Sequence, residues 1–344
     1  MRQIAPRGRT DRDAIRKKVL IAIAGLAVCI AAAVLIGTYL NPNRNNDEPK
    51  GDLDTRFTPE PVVNYQGDSY QARKNLTTIL LMGTDHYTDE ATEDSFRNGG
   101  QADFLVLLVI DEQQKRITPI QIDRDTLAEV TILGVLGNEA GTRLTQICLA
   151  HGFGDGGKQS CSLQRDAVSR LLYGVNIPYY IAMSMDGIST LNDAVGGVTV
   201  TIADDFTKLD PQMKIGATIT LNGTQAEYFV RNRMDIGVGT NQERGKRQTQ
   251  YWDALVQQMD QRLKTEEDTD FLHVILKQMD PYLTSNMANG RLINEIWNDR
   301  EYSRQEMVHP QGEYTIGDDG FAEFHVNEAA LEELVMRLFY QKVS

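Results

Sequence analysis

An uncharged run of 22 residues at positions 19–40 (VLIAIAGLAVCIAAAVLIGTYL) divides the chain into a short head and a long remainder. At about 1.5 Å of rise per helical residue it extends roughly 33 Å, enough for the hydrocarbon core of a bilayer. A buried helix of a globular domain rarely stays apolar on every face for so long. A cleaved signal has a shorter apolar stretch and a small-x-small site, whereas this run ends GTYLNPN. The run therefore predicts one N-terminal transmembrane helix that is retained. Seven basic residues (Arg2, Arg7, Arg9, Arg12, Arg16, Lys17, Lys18) precede it against two acidic ones (Asp11, Asp13), a net +5. The positive-inside rule makes residues 1–18 a cytoplasmic basic tail and places everything after 40 on the outer side of the cell membrane.

Beyond the anchor the charge reverses. The rest of the chain has 28 basic against 46 acidic residues, a net −18 within a total of −13. Such a domain is a poor partner for nucleic acid or an anionic lipid surface, so an anionic ligand needs a local basic cluster. The 18 residues before the anchor also show no helix-turn-helix, which disfavours a transcriptional regulator. Of three cysteines, Cys29 lies in the anchor. Cys148 and Cys161 are both external, where they either pair or remain buried thiols.

Residues 41–68 are polar, rich in Asn, Pro and Asp, and without apolar period, and read as an extracellular stalk. Structure is expected from about Tyr70. Three apolar runs follow, at 78–83 (TILLMG), 104–110 (FLVLLVI) and 117–122 (ITPIQI). Their continuous hydrophobicity predicts strands covered on both faces. Helices are expected at 143–150, 162–173 and 187–194, and strands at 179–183 and 198–202. Further helices are expected at 223–233, 241–263, 270–279 and 291–297, then a short strand and a closing helix at 327–340. Strands alternating with helices give an α/β fold, a sheet between helical layers. No break in composition marks the last 80 residues as a separate domain.

Two regions carry chemistry. In the first, polar residues sit at the ends of buried strands. Asp85 follows TTILLMG, Asp103 opens FLVLLVI, and Arg124 and Asp125 follow ITPIQI. Strand ends are where α/β sheets bind ligands, and two carboxylates with open positions suit Mg²⁺. The plain alternative is a set of turn residues and helix caps. The second region is FVRNRMDIGVGTNQERGKRQTQ, residues 229–250. Arg231 and Arg233 end one helix, and Arg244, Arg247 and Gln248 at i, i+3 and i+4 are expected on one face of the next. Guanidinium forks match phosphate oxygens in bidentate fashion. The alternative is a solvated basic face paired with Asp235 and Glu243. Gly239 to Lys246 mimics a Walker loop, but its spacing is wrong and no Ser or Thr follows the lysine. His86 and His151 lack partners at metal-ligand spacing, and Trp252 and Trp297 read as core.

Taken in order, ILLMGTD, Asp103 before FLVLLVI, ITPIQIDRDT, the Gly-rich turn after TRLTQICLAHGFGDGG, DAVGGVTV, LNGTQAEYFVRNR and RGKRQ resemble the LytR-CpsA-Psr (LCP) family of cell-envelope proteins. The likeness runs from about 77 to 259, with a plausible continuation to the C-terminus. The exterior domain, 69–344, then has a core at 77–264 completed by 265–344. The resemblance implies an αβα sandwich with a mixed central sheet and an apolar pocket for a polyprenyl chain. It implies phosphotransfer of an undecaprenyl-pyrophosphate-linked anionic glycopolymer, of teichoic acid or capsule type, onto peptidoglycan, with Mg²⁺ at the pyrophosphate.

Carried onto this chain, Asp85 and Asp103 match the metal-associated aspartates. Arg124, Arg231, Arg233 and Arg244 match the pyrophosphate-contacting arginines, and Arg247 and Gln248 the family's R-Q pair, with Arg247 added to the pyrophosphate set. Arg124, Asp125, Arg244 and Gln248 form the expected catalytic group. Leu80, Leu105, Leu107, Val109 and Val230 are candidates for the pocket wall, with packed core as the default for each. Three positions depart from the pattern. Gln101 stands where Arg is usual, Asp123 where Pro is usual, and Asn241 where many members have Asp. An amide cannot accept a proton from an acceptor hydroxyl. Either Asp125, Asp235 or the metal site covers that role, or this protein is slower or differently specialised. Two rivals also stay open: a lipid-phosphate-binding protein that transfers nothing, and a polyprenyl-pyrophosphate hydrolase.

Overall fold

The computed structural model describes residues 62–85, 100–134, 137–232, 241–267, 269–287, 289–318 and 320–343. The expected anchor and the stalk up to 61 lie outside these residues, as do His86, Arg233 and Asp235. Among the described residues no helix is long and apolar enough to cross a membrane.

The first element is a hairpin, β1 (Val62–Tyr65) and β2 (Asp68–Ala72). Its two-residue turn, Gln66-Gly67, has φ of 52° and 87°, the backbone that tight hairpins need. The last seven residues assigned to the stalk are thus a paired strand and its turn, too short for their alternation to stand out. The long strands β3 (Leu76–Thr84), β4 (Ala102–Asp111) and β5 (Arg116–Ile122) follow as an antiparallel meander. Next come a second hairpin, β6 (Leu127–Leu133) with β7 (Glu139–Gln146), and the helices α1 (Leu149–Gly152) and α2 (Lys158–Leu171). The helix expected at 143–150 is therefore half strand. β7 pairs with β6 while most of its side chains face solvent, so no apolar alternation marks it.

Then follow β8 (Tyr179–Ser184), α3 (Gly187–Ala194), the pair β9 (Val198–Thr201) and β10 (Thr218–Leu221), and α4 (Gly223–Arg231). The 25-residue helix α5 (Asn241–Thr265) leads to α6 (Asp270–Met279), β11 (Leu283–Ser285), α7 (Asn289–Asp299) and β12 (Ser303–Arg304). The chain finishes with a hairpin, β13 (Gly312–Ile316) and β14 (Ala322–Val326), then α8 (Glu328–Phe339) and β15 (Tyr340–Lys342).

The central sheet is six-stranded and mixed, in the order β11-β8-β3-β4-β5-β12. β8 lies parallel to β3 and β12 parallel to β5, while the other neighbours are antiparallel. Side chains alternate across it. Ile79, Leu81, Val106, Leu108 and Ile110 enter one core with α3 to α7. Leu80, Met82, Leu105, Leu107 and Val109 enter the other with β6, α2 and α8. Helices thus cover both faces, as the uninterrupted hydrophobicity of β3 and β4 predicts.

Candidate functional site

The site forms where β4 begins and β5 ends. Antiparallel pairing sets Leu105 opposite Ile122, which brings Asp103 beside the Asp123-Arg124-Asp125 segment. Arg124 Nη1 donates to Asp103 Oδ1, Arg124 Nη2 to Gln101 Oε1 at 2.6 Å, and Arg124 Nε to Asp125 Oδ1 at 3.3 Å. From above, the first turn of α5 supplies Arg244, whose Nη2 lies 2.9 Å from Asp103 Oδ2. Asp103 is buried, so each of its oxygens is matched by a guanidinium, as a buried charge requires.

These groups border a cavity of about 710 Å³. Its floor is Asp103, Arg124 and Asp125; one wall is Arg244, Gly245, Lys246 and Gln248 of α5. The N-terminal end of a 25-residue helix adds the positive end of its dipole to these side chains. The opposite wall is residues 309–312 with Tyr314 and Phe324, from the C-terminal part of the chain. The β13–β14 hairpin is fastened there: Phe324 N–H donates to Asp125 O at 2.8 Å, Gln146 Nε2 to Ala322 O at 2.6 Å, and the Tyr314 hydroxyl to Asp123 Oδ2. Burial pushes the Asp125 carboxyl upward against the opposing charge of Arg124. Burial, helped by the Asp123 carboxylate, raises the Tyr314 phenol well above its ordinary value.

Gln248 joins this cavity to a second, apolar pocket of about 60 Å³, lined by Phe104, Met183, Ile188, Val230 and Trp252 among others. Its amide Nε2 is buried and has no hydrogen-bond partner among the described residues, a cost that a ligand acceptor would remove. Of the five pocket candidates, Val230 alone lines this pocket. Leu80, Leu105, Leu107 and Val109 point through the sheet into the other core, because a continuous apolar run conceals which parity faces which layer.

The remaining expected residues divide. Asp85 follows β3, where its N–H donates to Gln101 O at 2.9 Å, which sets it one strand over from Asp103. Gly100, at φ +67°, allows this approach, since a Cβ there would lie 2.9 Å from Asp85 O. Arg231 is the last residue of α4, with Nη1 on Glu227 at 2.8 Å and Asp186 at 3.1 Å, outside the cavity lining. Arg247 does not share the face of Arg244 and Gln248. It turns to the flank of α5, donating to Phe229 O at 3.1 Å, Asp204 at 2.9 Å and Asn232 O, with its guanidinium 5.6 Å from the Phe206 ring centroid. It fastens α4 to α5. Residues i and i+3 diverge enough around a helix for one to face a cavity and the other a neighbour. Cys148 and Cys161 are buried free thiols. Cys148 Sγ accepts from Arg124 Nη2 at 3.4 Å, and burial raises its pKa to about 11. His151 is buried, with Nδ1 3.1 Å from Gly100 O. Trp252 lies in the core and Trp297 packs against it.

Among the described residues no group of three His, Cys, Asp or Glu side chains is placed to hold a metal. Asp85 and Asp103 are nevertheless hard oxygen donors at adjacent strand ends. That suits an ion such as Mg²⁺, which takes one or two carboxylates and fills its shell with water and phosphate oxygens.

The model of the LytR_cpsA_psr family matches residues 38–338. The chain belongs to the LytR-CpsA-Psr family. Its LytR-CpsA-Psr relatives include the polyisoprenyl-teichoic acid–peptidoglycan teichoic acid transferase TagU of Bacillus cereus. That protein is 25% identical over 332 residues, covering 94% of this chain and 97% of the relative. The protein of the same name from Halalkalibacterium halodurans is 28% identical over 251 residues, 70% and 72% of the two chains. Among solved structures, TagV of Bacillus subtilis superposes with a TM-score of 0.57 at 20% identity, over 77% of this chain and 96% of that one. A structure described as TagT bound to LI-WTA gives 0.55 at 20% identity, over 77% and 90%. The mixed central sheet is thus shared with LytR-CpsA-Psr structures. Two departures from the family pattern have definite places here. Gln101 accepts from Arg124, and Asp123 receives Tyr314 from the C-terminal hairpin.

Proposed function

We propose that this LytR-CpsA-Psr protein is a phosphotransferase that moves a polyprenyl-pyrophosphate-linked anionic glycopolymer, of the teichoic acid class, onto peptidoglycan at the outer face of the cell membrane. The observation that carries the reading is the junction at Gln248. There a cavity bearing Arg124 and Arg244 meets an apolar pocket, the polarity change of a lipid diphosphate. The names of the TagU relatives, and of TagT bound to LI-WTA, agree with it. In this role Arg124 and Arg244 leave Asp103 in part to hold diphosphate oxygens, and Gln248 Nε2 finds its acceptor. Lys246 and the first turn of α5 add positive potential where charge builds up. Asp85 and Asp103 would hold Mg²⁺, which neutralises phosphate charge when bound. Arg231 and Arg233 belong to the segment leading into α5 and are assigned to the outer part of the diphosphate or polymer, and Arg247 to keeping α4 and α5 in register.

The test is transfer by the full-length protein in detergent, given a lipid-diphosphate-linked teichoic acid precursor and peptidoglycan. Mass spectrometry of the digested wall material should find polymer attached through a phosphodiester. Polymer phosphate released equally with and without peptidoglycan would favour hydrolysis. Precursor binding with neither product would leave a binding protein.

A further inference from the structure

The end of the sheet brings to the polar cavity a side chain that none of the sequence motifs contains. Residues 305–308 run alongside β5 in the parallel sense. Gln305 N–H donates to Ile117 O, Val308 N–H to Pro119 O, and Gln121 N–H to Val308 O, each at 2.9 Å. β5 leads into Asp123-Arg124-Asp125, and its parallel neighbour leads into His309. Both segments therefore deliver their next residues to the same cavity, which His309, Asp123 and Asp125 line together. His309 is exposed and lines the cavity. Asp123 is fixed at both oxygens: Oδ1 accepts the Asp125 N–H at 2.9 Å and Oδ2 the Tyr314 hydroxyl. Asp125 is worse placed to take a proton. It is buried, and its Oδ1 accepts from both Arg124 and Gln146 at 3.3 Å.

We propose that His309 is the general base for the attacking acceptor hydroxyl. It would fill the role for which position 241 offers only an amide. The proposal rests on the transferase reading. The acceptor oxygen forms a bond to the phosphorus that carries the polymer. The bond from that phosphorus to the bridging oxygen breaks, and the lipid phosphate leaves with the electron pair. The hydroxyl proton passes to an imidazole nitrogen, and the imidazolium returns it to the departing phosphate or to water. Partial burial lowers the pKa of His309, with Asp123 opposing. That shift favours the neutral imidazole, the form that accepts a proton. The other charged or titratable groups on the cavity are Asp103, Arg124, Asp125, Arg244, Lys246 and Tyr314.

The experiment is the transfer assay on the full-length protein and its His309→Gln variant, with rates measured across pH and precursor binding measured separately. Transfer should fall by roughly 100-fold, the contribution of a positioned general base, with precursor binding unchanged. The wild-type rate should decline on the acid side with a midpoint below the usual imidazole value of about 6.5, and the variant should lack that decline. A His309→Gly variant should recover part of its rate on addition of free imidazole. A His309→Gln rate close to wild type overturns the proposal. So does a slower variant that keeps the acid-side decline, since that is a structural effect. Wild-type protein that makes no polymer–peptidoglycan product overturns the transferase reading itself.

Discussion

Arg244 and Asp103 meet at 2.9 Å across the junction of α5 and β4, both almost fully buried. The pair, shared with Arg124, fixes the first turn of the helix over the end of the sheet. Asp103→Ala would remove the buried carboxylate that Arg124 and Arg244 share. The domain should lose about 3 kcal/mol of stability. Denaturant unfolding of the variant beside wild type measures this.

Removing the other partner should act on turnover. Arg244→Ala takes away a charged donor aimed where phosphate charge grows, and transfer should fall by more than tenfold, over about 1.5 kcal/mol. Steady-state transfer with the lipid-linked precursor is the measurement, and an unchanged rate would remove Arg244 from the diphosphate site.

Arg247 should behave in the opposite way. Its guanidinium serves two backbone carbonyls and Asp204, so Arg247→Ala should cost about 2 kcal/mol of stability through the unsatisfied groups left behind. Arg247→Lys should restore little, because an ammonium cannot reproduce the planar fork. Thermal unfolding of both variants, beside transfer rates at a temperature where each is folded, separates stability from chemistry.

Asn241→Asp should leave transfer by the otherwise wild-type protein nearly unchanged while His309 is present. It should restore activity to His309→Gln, because a carboxylate at 241 offers a second proton acceptor. The double variant, assayed against His309→Gln alone, decides this.

Away from the site, stability should fall as pH rises. Burial raises the Asp299 carboxyl to about 7 and those of Asp253 and Asp260 to about 6. The folded state thus holds protons that the unfolded chain has released, and stability declines between about pH 4 and 7. Asp299→Asn should flatten the upper part of that decline in denaturant titrations.

The strands of the sheet could be read in the sequence because burial on both faces leaves an unbroken apolar run. The same burial hid their parity, which is why Leu80, Leu105, Leu107 and Val109 were candidates for a pocket that lies on the other side of the sheet. Asp103, Arg124, Asp125, Arg244 and Gln248 were legible through their motifs, and all five meet at the cavity. The far wall was not. β7 and β13 are exposed along most of their length, and strands that bury little carry no period. His309 lies in a segment whose place is set by hydrogen bonds to β5, and a lone histidine beside a proline gives no sign of that.

β15 is hydrogen-bonded to β2, and β2 leads directly into the end of β3 at Leu76. The cavity gathers at the other end of that strand, near Thr84. Nine residues of strand separate the two, about 30 Å at 3.3 Å per residue. Both ends of the described domain are therefore moored at the pole opposite the chemistry. A tag or tether joined at either end of the described domain starts from that pole, far from the cavity.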